Sequence, residues 1–273
     1  MKTKIIFGLL CLFMFLVIPY ISSAEPQYKF FKEVPILYNF KIEGDVTYKY
    51  EGVSDEKFNV SSKGIITLET VEVKDGKYIL KVVPSKTVIK VGDALLEDIT
   101  DNETAVSQMI STSLVEIKSN GKVVSVKEVS PGILDISQIL TILPAFPEKL
   151  TMPWKQTVPA FNLPGIPMCP LTFTYTYSQA KDGISRIQLL SNQAIKEERK
   201  EKDVIINFTG RNASKGEFLF DEEKGELKSF DGAIDLILNI VFKVPPSPER
   251  KTSGSQSVPL KIGLKLKVSI TQR

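Results

Sequence analysis

Residues 257–270 read SVPLKIGLKLKVSI. The even positions Val258, Leu260, Ile262, Leu264, Leu266, Val268 and Ile270 are all apolar, and the odd ones include Lys261, Gly263, Lys265, Lys267 and Ser269. A helix would scatter those leucines around its circumference, whereas a strand sends them all to one side. Residues 232–244 repeat the pattern, with Ile234, Leu236, Leu238, Ile240, Phe242 and Val244 on one face and a mixed opposite face. The joining segment, Pro245-Pro246-Ser247-Pro248-Glu249 onward to Ser257, reads as a loop. A strand of that length spans about 43 Å at ~3.3 Å per residue. An apolar face of that size cannot lie bare in water, since each Å2 covered is worth ~25 cal/mol. Another sheet, a helix or a bound lipid must cover it.

The same grammar extends along the chain. Leu171, Phe173, Tyr175 and Tyr177 oppose Thr172, Thr174, Thr176 and Ser178. Ile36, Tyr38, Phe40 and Ile42 lead through Glu43-Gly44-Asp45 into Val46, Tyr48 and Tyr50. Asp75-Gly76, Asn120-Gly121 and Asp182-Gly183 are the pairs favoured by tight hairpins, and Asp221 to Gly225 makes a further turn. Roughly ten to twelve strands follow, mostly antiparallel because short turns join them.

Ser130-Pro131 starts a helix, with serine as N-cap and proline in the first helical position. Ile133, Ile136, Leu140 and Leu143 then share a stripe widened by Leu134, Ile139 and Ile142, which predicts a buried helix near 131–143. Ala94 to Met109 reads as a loop with a helical turn. Residues 144–170 hold seven prolines and the only tryptophan, Trp154, which forbids a central strand there. This connection divides the β-rich region into halves, 28–129 and 171–271. The expected fold is mainly β, a long, curved, mostly antiparallel sheet. It forms either a half-barrel or a two-layer arrangement, with the one buried apolar helix.

The amino terminus has the three-part layout of a secretory signal peptide. Lys2 and Lys4 precede the apolar run Ile5–Ile18, and Ser22-Ser23-Ala24 offers a cut after Ala24. The expected arrangement is a signal peptide at 1–24 and a single β-rich domain at 25–273. The mature protein would be extracytoplasmic, periplasmic or secreted, without a transmembrane span. Losing Lys2 and Lys4 takes the net charge from +3 to near zero, so nothing attracts nucleic acid over distance.

The chain contains no histidine, which excludes Ser-His-Asp and Cys-His catalysis and His-ligated metals. Of its two cysteines, Cys11 lies in the leader, and Cys169 alone cannot make an internal disulfide or a CxxC pair. No catalytic constellation, cofactor fingerprint or metal-ligand spacing is present, so no enzyme is expected, nor a cofactor. The run Lys196 to Asp203 mixes signs and reads as a solvated hairpin tip or outer face. Asp221, Glu222, Glu223 and Glu226 occupy a turn, and the plain reading of them is structural. Tyr28 to Lys32 interleaves aromatics with cations, but reads best as a first strand or arm. Asn59, Asn102, Asn207 and Asn212 each open an Asn-x-Ser/Thr triplet.

The stretch from Phe40 to Tyr50, FKIEGDVTYKY, resembles the opening of certain uncharacterised secreted bacterial β-proteins. Phe146-Pro147-Glu148 leading to Trp154 is similar to their later hallmark, although Met152-Pro153 replaces the Gly-Asp expected before the tryptophan. Lys215 to Asp221, then Gly225-Glu226-Leu227, is similar to their hairpin before the last long strands. Those families are broadly similar to periplasmic lipoprotein carriers, whose half-barrels hold acyl chains against a helix lid. The resemblance implies a non-enzymatic protein with a hydrophobic site for lipid or acyl chains. The expected lining is Ile136, Leu140, Leu236, Leu238, Leu264 and Leu266. The alternative is a structural or protein-interaction module of the cell envelope with a dry core. A lipid or other apolar ligand is the partner under the first reading, and an envelope protein under the second.

Overall fold

The computed structural model describes residues 26–50, 55–92, 94–98, 111–130, 136–150, 153–159, 162–163, 166–178, 182–244 and 256–273. The signal peptide expected at 1–24 and its expected cleavage point lie outside these residues. The first half contributes β1 (Ile36–Tyr50), β2 (Glu56–Lys74), β3 (Lys77–Val91), β4 (Ala94–Asp98), β5 (Thr112–Lys118) and β6 (Val123–Ser130). The proline-rich connection holds β7 (Trp154–Val158), β8 (Asn162–Leu163) and β9 (Ile166–Pro167). The second half contributes β10 (Leu171–Ser178), β11 (Ile184–Leu190), β12 (Gln193–Glu201), β13 (Val204–Asn212) and β14 (Lys215–Asp221). It ends in the long strands β15 (Glu226–Val244) and β16 (Gln256–Gln272).

Fourteen strands form one open antiparallel sheet, in the order β6-β5-β3-β2-β1-β16-β15-β14-β11-β10-β7. The alternative of two stacked sheets is therefore not realised. The halves of the chain meet where β1 pairs with β16, Tyr38 opposite Gln272 and Tyr50 opposite Leu260. The sheet forks at β15. Its first part, Glu226 to Ala233, pairs with β14, and Leu236 to Lys243 pairs with β13, which carries β12 outside it. β4 similarly joins β3 beside β5, and β8 and β9 form a separate ribbon.

Cross-strand neighbours explain the register. On one face Val46, Leu264 and Leu236 stand side by side, followed by Tyr48, Ile262 and Leu238. On the other face Lys265 stands between Asp45 and Asp235, and Lys267 opposite Glu43. A slip of one residue would turn the lysines inward and the leucines out. The apolar face is the inner one: Leu236, Leu238, Ile240, Leu260, Ile262, Leu264, Val268 and Ile270 are buried. Lys261, Lys265 and Lys267 are exposed, as the alternation requires. Asp75-Gly76 closes the β2–β3 hairpin with both residues at positive φ, the geometry that favours this pair. The charged run from Lys196 lies on β12 and its turn, mostly exposed, at an outer margin of the sheet. Charges of both signs suit such an edge.

Two expectations are corrected. No α-helix occurs among the described residues; in place of the helix at 131–143 stands a 3-10 segment, Ile136–Ile142. Residues 131–135, with the Pro131 start signal, lie outside the described residues. Ile136, Ile139, Thr141 and Ile142 are β-branched and lose side-chain freedom in a helix. Side chains of the sheet also take the carbonyls at its end. Gln156 donates to Thr141 and Leu143 at 3.2 and 3.0 Å, and the Tyr175 hydroxyl donates to Ile142 at 2.9 Å. The second correction is Ala94–Asp98, which is strand β4 rather than loop; residues 99–110 of that stretch lie outside the described ones. The proline belt does carry a strand, β7, but it is five residues long and last in the sheet order, where proline-flanked strands are tolerated.

Candidate functional site

Four of the six expected lining residues come together. Leu236 is directly opposite Leu264, Leu238 lies opposite Ile262, and Ile234 opposite Leu266, so β15 and β16 present one leucine-rich patch inward. Leu236, Leu238 and Leu264 are 1%, 0% and 5% exposed, and Leu266 is half-buried. Leu140 joins the same continuous core from the 3-10 segment at 8% exposure. That segment packs on β5 and β6 and is bonded to β7 and β10, away from the leucine patch. The side chain of Ile136 lies outside the described residues.

The end of the inner face nearest the 3-10 segment is aromatic. Phe146 meets Tyr28, Trp154 and Phe220 at centroid separations of 5.8, 6.3 and 5.1 Å. Trp154 stacks on Tyr175 at 5.5 Å, Tyr175 meets Phe218, and Phe218 stacks on Phe230 at 4.3 Å. This chain of rings reaches β15 at Phe230, six residues before Leu236 and so about 20 Å from it at ~3.3 Å per residue.

An N-terminal arm holds this end together. The Tyr28 N–H donates to Ser119 in the β5–β6 turn at 2.7 Å, and the Lys29 N–H to Gly225 in the β14–β15 turn at 2.9 Å. Lys29 Nζ adds a bond to the Glu223 carbonyl at 2.9 Å. The arm thus laces one half of the sheet to the other. Gly121 permits the approach: its φ is 91°, and a Cβ there would sit 2.4 Å from the Tyr28 ring. Phe146 and Asn120 complete the seam by exchanging bonds at 2.7 and 3.0 Å.

Burial pushes the pKa of Tyr28, Tyr38 and Tyr175 well above the ordinary phenol range and so suppresses their ionisation, with Glu226 adding to the effect on Tyr38. Three buried polar atoms at this end lack a partner: the Tyr28 hydroxyl, the Trp154 Nε1 and the Gln272 Oε1. An unmet buried group costs about 1–3 kcal/mol. The sequence offered only Trp154 as a signal, being unique in the chain; Tyr28 and Phe30 looked like any arm residues.

The remaining candidates resolve into structure. The carboxylates of the β14–β15 turn are braces: Asp221 accepts from the Lys224 N–H at 2.9 Å, and Glu226 from Gln272 Nε2 at 2.6 Å. Tyr177 and Ser185 both donate to Glu222. Asn212 is fully buried, donating to Ser191 at 3.0 Å and accepting from Ser214, so its triplet serves packing. Cys169 is buried, and desolvation pushes its thiol up to about 11. A groove of about 860 Å3 opens on the opposite, charged face, rimmed by Lys41, Glu43, Lys215, Glu217, Asp231 and Lys267. Its cations and acids balance, and Lys41–Glu43 and Arg186–Glu217 are ion pairs at 2.8 and 3.3 Å. This is a solvated ladder, not the expected apolar site.

Fold and site together define a mainly β protein whose open antiparallel sheet turns a long apolar face inward. A solved structure of lipovitellin, described for its lipid–protein interactions, is similar to 88% of this chain, with a TM-score of 0.50 and 10% sequence identity. The likeness is one of fold, and this chain spans 25% of the length of that lipovitellin chain. No family model and no curated protein matches the sequence, so the resemblance to secreted bacterial β-proteins rests on the quoted motifs. No helix among the described residues is long and apolar enough to cross a membrane.

Proposed function

We propose that this protein binds a lipid or other apolar molecule along the inner face of its sheet, outside the cytoplasm and without chemistry of its own. The observation that carries the reading is the long apolar row shared by β1, β15 and β16, strands of 15, 19 and 17 residues, buried over most of its length and interrupted at Gly44 and Gly232. A usual strand is about 5–6 residues, and a dry core of ordinary size needs no more. The likeness in fold to lipovitellin supports the reading at the level of architecture. The non-enzymatic part rests on a sequence without histidine and a thiol held protonated. The test is native mass spectrometry of protein purified from its own host. A bound lipid mass that disappears on organic extraction, with rebinding of a fluorescent acyl probe, is the expected result. Amino-terminal sequencing of the same material should read from Glu25; retention of Lys2 in a membrane fraction would make the protein anchored.

The dry interaction module is the second reading, favoured by how completely Leu236 and Leu238 are buried. Its contact would be the β6 margin of the sheet, where Val124 and Val129 are exposed. Absence of any ligand mass and of probe binding selects this reading.

A further inference from the structure

The first half of the sheet ends in a rim of lysines brought into register by the strand pairing. Lys74 stands opposite Lys77 on β2 and β3, and Lys77 opposite Lys118 on β5. Lys122 follows across the β5–β6 turn, its carbonyl accepting from the Lys118 N–H at 3.0 Å. The two hairpin turns are joined, because the Ser119 N–H donates to the Gly76 carbonyl at 3.0 Å. Four like charges thus share one row of the outer face, an arrangement that costs the sheet stability. Lysines at the centre of the sheet face acids instead, as Lys265 does between Asp45 and Asp235. Two other lysine pairs, Lys41 with Lys63 and Lys49 with Lys261, each have one member held by a carboxylate, Glu43 or Asp55. In the rim row Glu116 takes Lys77 at 2.8 Å, and among the described residues no ion pair takes Lys74, Lys118 or Lys122.

Exposed apolar side chains crowd the same end. β1 begins opposite Leu68, so Glu69 to Lys74 of β2 run on past it. There Val71 and Val73 are 51% and 46% exposed. Val73 is opposite Tyr78, against whose ring Phe30 packs at 5.1 Å. The arm then turns through Phe31-Lys32-Glu33-Val34, where the Val34 N–H donates to the Phe31 carbonyl at 3.3 Å. Phe31 and Val34 are 56% and 57% exposed. Glu72 and Glu116 stand one row further in, opposite and beside Ile79. The rim itself therefore sets Lys32, Lys74, Lys77, Lys118 and Lys122 against only Glu33 and Asp75.

We propose that this rim docks on an anionic phospholipid surface, its lysines against the phosphates and Phe31 and the valines among the acyl chains. Protein interfaces are depleted in lysine, whereas a lipid headgroup layer accepts it: the stem lies along apolar groups and the ammonium reaches a phosphate. Apolar side chains set singly among cations make no contiguous patch for a protein partner. They suit a boundary that is hydrocarbon on one side and charge on the other. The whole chain carries only +3, so the attraction is local to the rim and screened by salt. Docking goes beyond the lipid-binding reading and does not depend on it, since the rim lies outside the inner face.

Sedimentation of the soluble protein with vesicles tests it, comparing phosphatidylcholine alone with phosphatidylcholine holding about 30% phosphatidylglycerol. The mixed vesicles should bind about tenfold more tightly than the neutral ones at about 0.05 M salt, and release the protein at about 0.5 M. Lys74→Gln/Lys118→Gln/Lys122→Gln should weaken binding about tenfold or more. Lys196→Gln/Lys200→Gln/Lys243→Gln makes the same change of charge elsewhere on the sheet and should leave binding within about twofold. All six side chains are exposed, so both variants should fold as the wild type does. Phe31→Trp should give a fluorescence quenched by vesicles with brominated acyl chains, while Trp154, buried in the core, is not quenched. Equal binding to both vesicles, equal loss in the two triple variants, or adsorption without quenching of Phe31→Trp would each overturn the proposal. Retention on heparin without vesicle binding overturns it as well, in favour of a polyanion. Acyl-probe binding by the same protein reports the inner face separately, so the two readings fail independently.

Discussion

Leu264→Ala tests how the inner face is filled. Leu264 stands between Val46 and Leu236 on the paired strands and is 5% exposed. The substitution removes three carbons, which at ~0.8 kcal/mol each is about 2.5 kcal/mol of lost transfer energy. A rigid surround that keeps the cavity open raises the loss toward about 5 kcal/mol. Leu266, one turn of the alternation away but only half-buried, should lose less on the same change. Urea unfolding followed by Trp154 fluorescence reads both, since the single tryptophan is buried in the native state. The expected result is a lower midpoint for Leu264→Ala at an unchanged slope. A loss below about 1 kcal/mol would refute tight packing at this site, and with lost probe binding it would mark a roomy, ligand-filled face. A full loss in a protein whose wild type binds no probe would leave the dry module standing. Lys265→Ala, on the exposed side, should cost less than either leucine change.

Stability should fall on the alkaline side. Folding raises the pKa of Tyr28, Tyr38 and Tyr175, so the unfolded chain gives up these protons first, and the stabilisation present below pH 10 is lost as the pH rises beyond it. Urea midpoints at pH 8, 9.5 and 11 should decline in that order, and Tyr175→Phe should flatten the decline. Cys169, with its thiol at about 11, should resist a disulfide thiol reagent at pH 8 until urea is added, and reducing agent should leave the melting temperature unchanged. Gly44→Ala places a Cβ 1.9 Å from the Lys265 carbonyl, so it should weaken the β1–β16 seam and speed amide exchange at Lys265 and Lys267. Native-like protection there would show that the backbone yields.

The long strands were legible because one face is apolar and the other charged, so β15 and β16 could be read from Ile234 to Ile270 with the leucines inward. The hairpin turns were legible because Asp75-Gly76 carries its own geometry. The stripe around Ile136 and Leu140 misled: it recorded burial, and burial against a sheet does not require α-helical hydrogen bonds when Gln156 and Tyr175 supply partners. Nothing local marks the fork at β15, because the choice between β14 and β13 is made by strands folding back from elsewhere. Tyr28 was missed for the same reason: its role depends on Ser119 and Gly225, distant in sequence and close only in the folded chain.

The pairing of β1 with β16 also sets the order in which the molecule can be built. Tyr38 waits for Gln272, so the seam between halves must close a loop of nearly the whole chain. Such contacts are made late and slowly, because closure entropy is spent before any contact rewards it. During synthesis, at ~5–20 residues per second, the β1–β2–β3 meander emerges with the apolar face of β1 and its free edge bare until the last strand arrives. The nascent first half is therefore the stretch most exposed to wrong pairing, and a chaperone would act on it before β16 exists.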